Sequence, residues 1–101
     1  MEKFALFAML HAKAGKETEV EEFLKSALPL AAQEAGTVGW YAMKLGAGRF
    51  GIFDTFEDEE GRKAHLTGAI AKALFAKADE LLADPPRVDP LEIIAVKAPR
   101  A

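Results

Sequence analysis

The sequence contains two histidines and no cysteine, so His11 and His65 are the side chains best suited to proton transfer near neutral pH. Asp54 lies in the aromatic segment RFGIFDTF (residues 49–56), shortly before His65. A carboxylate among apolar side chains is costly to bury unless it is paired. We therefore expect an Asp54–His65 pair, in which His65 is a general base and Asp54 fixes its tautomer and raises its basicity. His11 lies near the end of the first predicted strand and is expected to be solvated.

Structural explanations compete with this hypothesis for both members of the pair. Asp54 can instead lie at the rim of the fold and bond to the backbone or to Arg49. His65 can simply lie at the edge of the apolar stripe of its helix, next to Leu66. Because of that edge position, we expect replacement of His65 to affect activity more than stability.

Aromatic side chains near the pair form a candidate pocket for a small flat ligand, although core packing is the alternative for each of them. Trp40 and Tyr41 are neighbours on one predicted strand, so they point to opposite faces of the sheet. One of them is expected to enter the core, and the other to face a partner chain. The candidate pocket residues are Phe7, Trp40, Tyr41, Phe53 and Phe56.

Other chemistries fit the sequence poorly. Without cysteine there is no disulfide, thiolate metal site or iron–sulfur cluster, and two distant histidines are a weak basis for a catalytic metal. The segment LGAGRFGIF contains a G-x-G-x-x-G spacing at Gly46, Gly48 and Gly51, but those glycines lie between two predicted strands. Dinucleotide binding needs them between a strand and a helix. We therefore expect no metal, haem, flavin or nicotinamide cofactor.

Length and composition indicate one domain, spanning residues 1–101. The net charge of −3 gives no basic footprint for nucleic acid. The apolar run at the N-terminus has seven residues, from Phe4 to Leu10. About 20 are needed to span a bilayer, and no signal-peptide cleavage site follows. We expect a cytoplasmic protein that does not contact a membrane.

Hydrophobic periodicity and turn residues predict an α+β fold with the order β-α-β-β-α-β, a ferredoxin-like four-stranded antiparallel sheet with helices on one face. The first helix contains Pro29, where we expect a kink or an early end. In the second helical stretch Asp58 is the predicted N-cap, and Gly68 is expected to divide it, with Thr67 capping the second piece. The predicted strands are 4–13, 38–45, 49–56 and 91–97, and the predicted helices are 17–35 and 58–83.

Both faces of the predicted sheet are apolar, since both side-chain sets of the first, third and last strands are hydrophobic. An exposed face of this kind would be larger than monomers usually tolerate. A second copy related by a two-fold axis is the simplest cover, so we expect a homodimer whose sheets pack into a dimeric α+β barrel.

Three segments resemble the antibiotic biosynthesis monooxygenase family: HAKAGKETEVEEFL, FDTFEDEEGRKAHL and LEIIAVK. The resemblance covers about residues 4–97 and implies a ferredoxin-like dimeric α+β barrel. Some members of the family oxygenate polycyclic phenols or quinols with O₂ and without metal or flavin. Others degrade haem or isomerise small signalling molecules.

The family pattern places a carboxylate and then an aromatic residue at the end of the third strand, and a histidine on the next helix. Asp54, Phe56 and His65 match it. Many members have Glu and Trp at the first two positions, and a second histidine where this chain has Ala69. The haem-degrading branch also has an asparagine that the first strand here lacks.

The resemblance and the His65 environment together suggest a cofactor-independent monooxygenase that acts on a small phenol or quinol. His65 would remove the phenolic proton, and the resulting anion would reduce O₂ directly in an apolar pocket. One alternative is a non-catalytic dimeric module that binds a small ligand or serves in a stress response. The other is an isomerase or lyase on the same scaffold.

Overall fold

The computed structural model describes residues 2–97, which form a four-stranded antiparallel sheet with helices on one face. Across the sheet, the second strand of the chain is followed by the third, the first and the fourth. This α+β arrangement confirms the predicted ferredoxin-like fold. The elements in chain order are β1 (Phe4–His11), α1 (Glu17–Ala32), β2 (Thr37–Gly46), β3 (Arg49–Phe56), α2 (Glu59–Leu66), α3 (Ala69–Leu81) and β4 (Arg87–Glu92).

The glycine-rich segment is a hairpin between β2 and β3. Gly46 and Gly48 have positive φ angles of 152° and 70°, which side chains rarely allow. Gly51 lies inside β3, where it pairs with Met9 of β1 and Met43 of β2. No helix begins at these glycines, so the dinucleotide-binding context is absent from this part of the chain.

The helix α1 continues past Pro29 and ends at Ala32. Pro29 lies in the last turn, where its missing N–H removes one bond near the helix end. Ala27 and Ala31 remain buried on either side of it. The expected early end at Pro29 is therefore wrong, since the helix runs three residues beyond it and stops three residues short of the predicted residue 35.

The second helical stretch divides at Gly68, as predicted, into α2 and α3. The Asp58 side chain caps α2 by accepting a hydrogen bond from Gly61 N at 2.8 Å. The predicted capping role of Thr67 is wrong, because its hydroxyl donates back to the carbonyl of Lys63 at 3.2 Å. A hydroxyl that bonds into its own helix is not available to the next one, and α3 begins without a side-chain cap.

The last strand lies earlier than the predicted residues 91–97 and covers Arg87–Glu92. Its register pairs Arg87 with Met9 and Glu92 with Phe4, so β4 runs out of partners where β1 begins. The apolar run at residues 93–96 therefore extends past the sheet, and Ile94 is 96% exposed. Pro90 lies within β4, which an edge strand tolerates.

Trp40 and Tyr41 point to opposite faces of the sheet, as expected. Trp40 packs against the core under the helices. Tyr41 is 56% exposed on the face without helices, where its ring stacks on Phe53 with centroids 6.4 Å apart. Phe7 pairs with Phe53 across β1 and β3 and lies on the same open face. This helix-free face is thus aromatic and only partly covered within one chain.

A contact between two glycines sets the distance from the α1–β2 connection to α2. A Cβ atom on Gly36 would lie 2.6 Å from Gly61 Cα, and one on Gly61 would lie 2.7 Å from the Gly36 carbonyl oxygen. Real Cβ atoms do not approach backbone so closely. Because both positions lack a side chain, α2 packs directly against the connection between α1 and β2.

Candidate active site

The central feature of the helix-covered face is a histidine held between two carboxylates. His65 Nε2 lies 2.7 Å from Asp54 Oδ2, and His65 Nδ1 lies 2.6 Å from Glu34 Oε1. Three separate segments meet here: Asp54 comes from β3, His65 from α2, and Glu34 from the connection after α1. The predicted pairing of Asp54 with His65 is present, and Glu34 is an additional partner.

Local packing fixes the geometry of this cluster. The ring of the fully buried Phe56 lies 5.5 Å from the His65 ring. The Thr37 hydroxyl donates a hydrogen bond to Glu34 Oε1 at 2.7 Å, which orients that carboxylate. The Gly36–Gly61 contact brings the segment that carries Glu34 close to α2. His65 and Glu34 are thus held by contacts outside the cluster as well as within it.

Burial is deeper than the sequence suggested. Asp54 is 2% exposed and His65 is 8% exposed, so His65 belongs to the core and not to the edge of an apolar stripe. The edge position from which we expected a small effect on stability is therefore wrong, and we now expect the replacement of His65 to lower stability. Removal of one member of a buried ion pair leaves an uncompensated charge.

The electrostatics of the cluster favour a protonated histidine. Burial alone lowers the pKa of His65, but its hydrogen bonds to Asp54 and Glu34 outweigh burial and raise the pKa to about 9. Burial raises the pKa of Asp54, and the hydrogen bond from His65 opposes that rise only in part. With both carboxylates ionised the cluster carries one excess negative charge, and a proton on Asp54 would neutralise it.

These contacts decide which atom is free to accept a proton. Both ring nitrogens of His65 donate to carboxylates when the ring is protonated, so no lone pair remains for a substrate proton. Asp54 Oδ1 is buried and has no hydrogen-bond partner among the described residues. The arrangement therefore suits Asp54 as the acid–base group and His65 as the residue that holds it.

A small cavity lies beside the cluster, between the sheet and helices α2 and α3. It has a volume of about 40 Å³, and Asp54 and His65 contribute its polar wall. A water molecule occupies about 30 Å³ in the liquid, so the cavity has room for a water or a diatomic gas. Leu66 and Phe75 also line it, and these two side chains are 44% and 56% exposed.

A larger groove of about 510 Å³ runs between α1 and β2. Apolar side chains including Leu24, Leu28 and Phe50 line it together with Trp40. An ion pair between Lys44 Nζ and Glu21 at 2.8 Å closes one side. Trp40 lines this groove and also packs against the core under the helices. The groove and the small cavity beside Asp54 therefore lie on the same covered face of the sheet.

The candidate pocket residues do not gather around one hollow in the single chain. Phe56 lies against His65, and Trp40 lies on the covered face. Phe7, Tyr41 and Phe53 lie together on the open face, away from the cluster. The predicted aromatic set thus divides between the two faces of the sheet.

Glu34 is the residue that sequence reasoning missed. It is separated from His65 by 31 positions and lies outside any periodic element, in the connection between α1 and β2. The one available signal was the ferredoxin-like topology itself, which brings the end of the first helix next to the second helix. No spacing rule distinguishes Glu34 from the acidic residues of the preceding helix α1.

Two further structural observations bear on the function class. Within residues 2–97, no group of three or more histidine, aspartate or glutamate side chains is arranged so that it could hold a metal ion. Among the helices formed by the same residues, none has the length and apolar character needed to cross a membrane.

The comparison with solved structures finds a relative that shares about half of its residues with this chain. The NE2512 protein of Nitrosomonas europaea is 51% identical, with a TM-score of 0.97, and the match covers 100% of this chain and 98% of that one. The chain belongs to the same family as NE2512. That relative is described as a protein of unknown function. No family model and no curated protein matches the sequence.

More distant structures share the fold. A Nitrosomonas europaea protein provisionally named an antibiotic biosynthesis monooxygenase is 13% identical with a TM-score of 0.81, and the match covers 91% of this chain and 99% of that one. A Deinococcus radiodurans protein with the same provisional name is 15% identical with a TM-score of 0.81, over 97% and 99% of the two chains. These likenesses confirm the resemblance at the level of the fold.

Proposed function

We propose that the protein is a monooxygenase of a small phenol or quinol that needs no metal or flavin, with Asp54 as the group that accepts the substrate proton. The observation that supports this assignment is the unpartnered, buried Oδ1 of Asp54 at the wall of an apolar cavity. The provisional names of the two distant structures favour oxygen chemistry on this fold. Asp54 here takes the role that the sequence alone suggested for His65.

The reaction proceeds from a phenol hydroxyl next to Asp54. Asp54 Oδ1 takes the hydroxyl proton, and the resulting phenolate is electron-rich enough to reduce O₂. One oxygen atom of O₂ bonds to a ring carbon, and the product is a quinone. The other oxygen atom leaves as water, which takes its two hydrogens from the phenol hydroxyl and from the attacked ring carbon. His65 keeps Oδ2 occupied, so the proton is taken and returned at Oδ1 alone.

The cavity must widen before it holds an aromatic ring. Its volume of about 40 Å³ admits O₂ or water but not a phenol. Leu66 and Phe75 are half-exposed side chains of α2 and α3 at the same cavity, so a shift of these two opens a path between the helices. An apolar entrance also keeps water from the anion, which raises its reactivity.

Oxygen uptake with a panel of phenols and hydroquinones tests this function. We expect turnover by the metal-free protein, and a loss of roughly 10²- to 10⁴-fold in rate for Asp54→Asn. His11→Ala is the matched control and keeps the wild-type rate. A folded Asp54→Asn protein with full turnover would contradict the assignment, and so would one equivalent of bound iron or flavin in untreated active protein.

A second candidate is a non-catalytic module that binds a small apolar ligand. The observation in its favour is that both ring nitrogens of His65 are bonded to carboxylates and that the cavity beside them is small. In that case ligands bind at the covered face without any oxygen uptake. Binding measured together with oxygen consumption separates the two functions.

We also propose that the working unit is a homodimer through the helix-free face of the sheet. Tyr41, Phe53 and Phe7 form an aromatic patch there, and isolated monomers rarely leave such a patch uncovered. Phe7→Glu should dissociate the dimer, whereas Ala76→Glu on the exposed side of α3 should not. A stable wild-type monomer at micromolar concentration in sedimentation would end this proposal.

A further inference from the structure

Two buried polar atoms on the covered face have no hydrogen-bond partner among residues 2–97: Trp40 Nε1 and Asp54 Oδ1. Trp40 and Asp54 are directly opposite each other in the register of β2 and β3. Side chains at opposite positions share a face, and their Cβ atoms lie about 4.5–5.5 Å apart. The two unsatisfied atoms thus belong to neighbouring side chains under the same helices.

The two atoms are chemically complementary. The indole N–H of Trp40 only donates a hydrogen bond, and an ionised Asp54 oxygen only accepts one. Leaving either of them buried without a partner costs free energy, and native proteins seldom do so. A hydroxyl group satisfies both at once, because its oxygen accepts from the indole while its hydrogen is donated to the carboxylate.

The surroundings restrict what carries that hydroxyl. Ile70 belongs to the buried cluster against which Trp40 packs, and it also lines the cavity beside Asp54. Phe56 lies against the neighbouring His65. The rest of the ligand therefore meets apolar and aromatic side chains. Asp54 and Glu34 disfavour an anionic ligand, while the N–H of Trp40 disfavours an ammonium group.

We propose that Trp40 and Asp54 together bind the hydroxyl of a neutral phenol, and that Trp40 determines the specificity for hydroxylated rings. Trp40 Nε1–H donates to the phenol oxygen, and the phenol O–H donates to Asp54 Oδ1. This inference rests on the proposed function for the identity of the ligand as substrate. It adds a second contact, which selects the hydroxyl before the proton is removed.

The binding affinities of three small aromatic ligands test the site without requiring a reaction. Phenol both accepts and donates, anisole accepts but has no hydroxyl hydrogen, and toluene does neither. Trp40 is the one tryptophan of the chain, so its indole N–H gives a single resolved signal in a ¹⁵N–¹H spectrum. We expect phenol and anisole to move that signal downfield, and affinity to fall about tenfold at each step from phenol to anisole to toluene.

A substitution at Trp40 shows whether its indole N–H causes the difference in affinity between anisole and toluene. In Trp40→Phe the ring remains but the donor is lost, so anisole should bind no more tightly than toluene in calorimetry. Ser26→Ala is the control, since it removes a hydroxyl from the exposed surface of α1 and should keep the whole series. Melting temperatures of both variants show whether each remains folded.

The outcomes separate this site from the proposed reaction. Equal affinity of wild-type protein for phenol and toluene would overturn the hydroxyl site, whether or not oxygen is consumed. A preserved affinity series without oxygen uptake would support the site and refute the monooxygenase. Oxygen uptake with full hydroxyl selectivity in Trp40→Phe would leave the reaction standing and remove Trp40 from it.

Discussion

The two histidines of the chain show how much burial changes the meaning of one residue type. His11 and His65 both lie next to an aspartate, Asp84 at 3.2 Å and Asp54 at 2.7 Å. The His11 and Asp84 side chains are 39% and 70% exposed, whereas those of His65 and Asp54 are 10% and 2% exposed. Proximity to a carboxylate alone therefore does not mark a functional histidine.

The physical difference lies in the surrounding solvent and in the number of partners. Water and salt screen an exposed ion pair, which contributes less than about 1 kcal/mol to stability. His65 is shielded from water and bonded at both nitrogens, so its charge is coupled to Asp54 and Glu34. We therefore expect changes at the buried cluster to alter stability more than a change at His11 does.

The largest effect is expected from His65→Ala. The substitution leaves two carboxylates facing each other without the cation that held them, and loss of one partner of a buried pair typically costs about 3–5 kcal/mol. Urea unfolding followed by circular dichroism measures the change. A loss below 1 kcal/mol would place His65 in the same class as His11.

The stability of the wild-type protein should depend on pH through His65. Its folded pKa of about 9 exceeds the unfolded value of 6.5, so its contribution is complete below pH 6.5 and is lost as pH rises through 9. The shift corresponds to about 3 kcal/mol. Asp54 also makes the folded protein less stable as the pH rises, but at lower pH than His65, because burial raises the pKa of its carboxyl group in the folded state. A pH-independent free energy of unfolding between 6.5 and 9 in the wild type would contradict the cluster.

Glu34→Gln should have an intermediate effect of about 1–2 kcal/mol. The amide oxygen still accepts a hydrogen bond from His65 Nδ1–H, but the negative charge that stabilises the protonated ring is gone. The pKa of His65 should therefore fall below its wild-type value, which titration of its ring signals by NMR measures. Glu19→Gln, on the exposed surface of α1, is the control that should leave it unchanged.

The smallest effect is expected from His11→Ala, which removes an exposed pair with Asp84. The free energy of unfolding should change by less than about 1 kcal/mol. The pH dependence between 6.5 and 9 should persist in this variant. Loss of that dependence would mean that His11, and not His65, is the coupled histidine.

Much of the fold was predictable from local sequence patterns, because a glycine turn on one side and a helix N-cap on the other mark the ends of a short apolar strand such as β3. The strand β3 was predicted with its observed bounds, Arg49–Phe56, and the division at Gly68 was anticipated. The strand β4 was misplaced, since its position depends on where β1 begins and not on its own most apolar residues.

The candidate site was predictable only where its members are close in sequence. Asp54 and His65 lie on consecutive elements, so a strand followed by a helix suffices to bring them together. Glu34 joins them through tertiary packing. The sequence predicted that Trp40 and Tyr41 lie on opposite faces, but only the structure shows that Trp40 is the one that faces the core. Burial of His65 was missed for the same reason, since the neighbours that cover it come from other elements.

The contact between Gly36 and Gly61 has a consequence for how this family diverges. Since neither position has room for even a methyl group, a larger residue at one cannot be compensated by keeping glycine at the other. Substitution there requires the helix to move away, which would separate Glu34 from His65. Relatives that keep the three-residue ionic cluster should therefore keep both glycines, and those that lose one should lose the acid at position 34 as well.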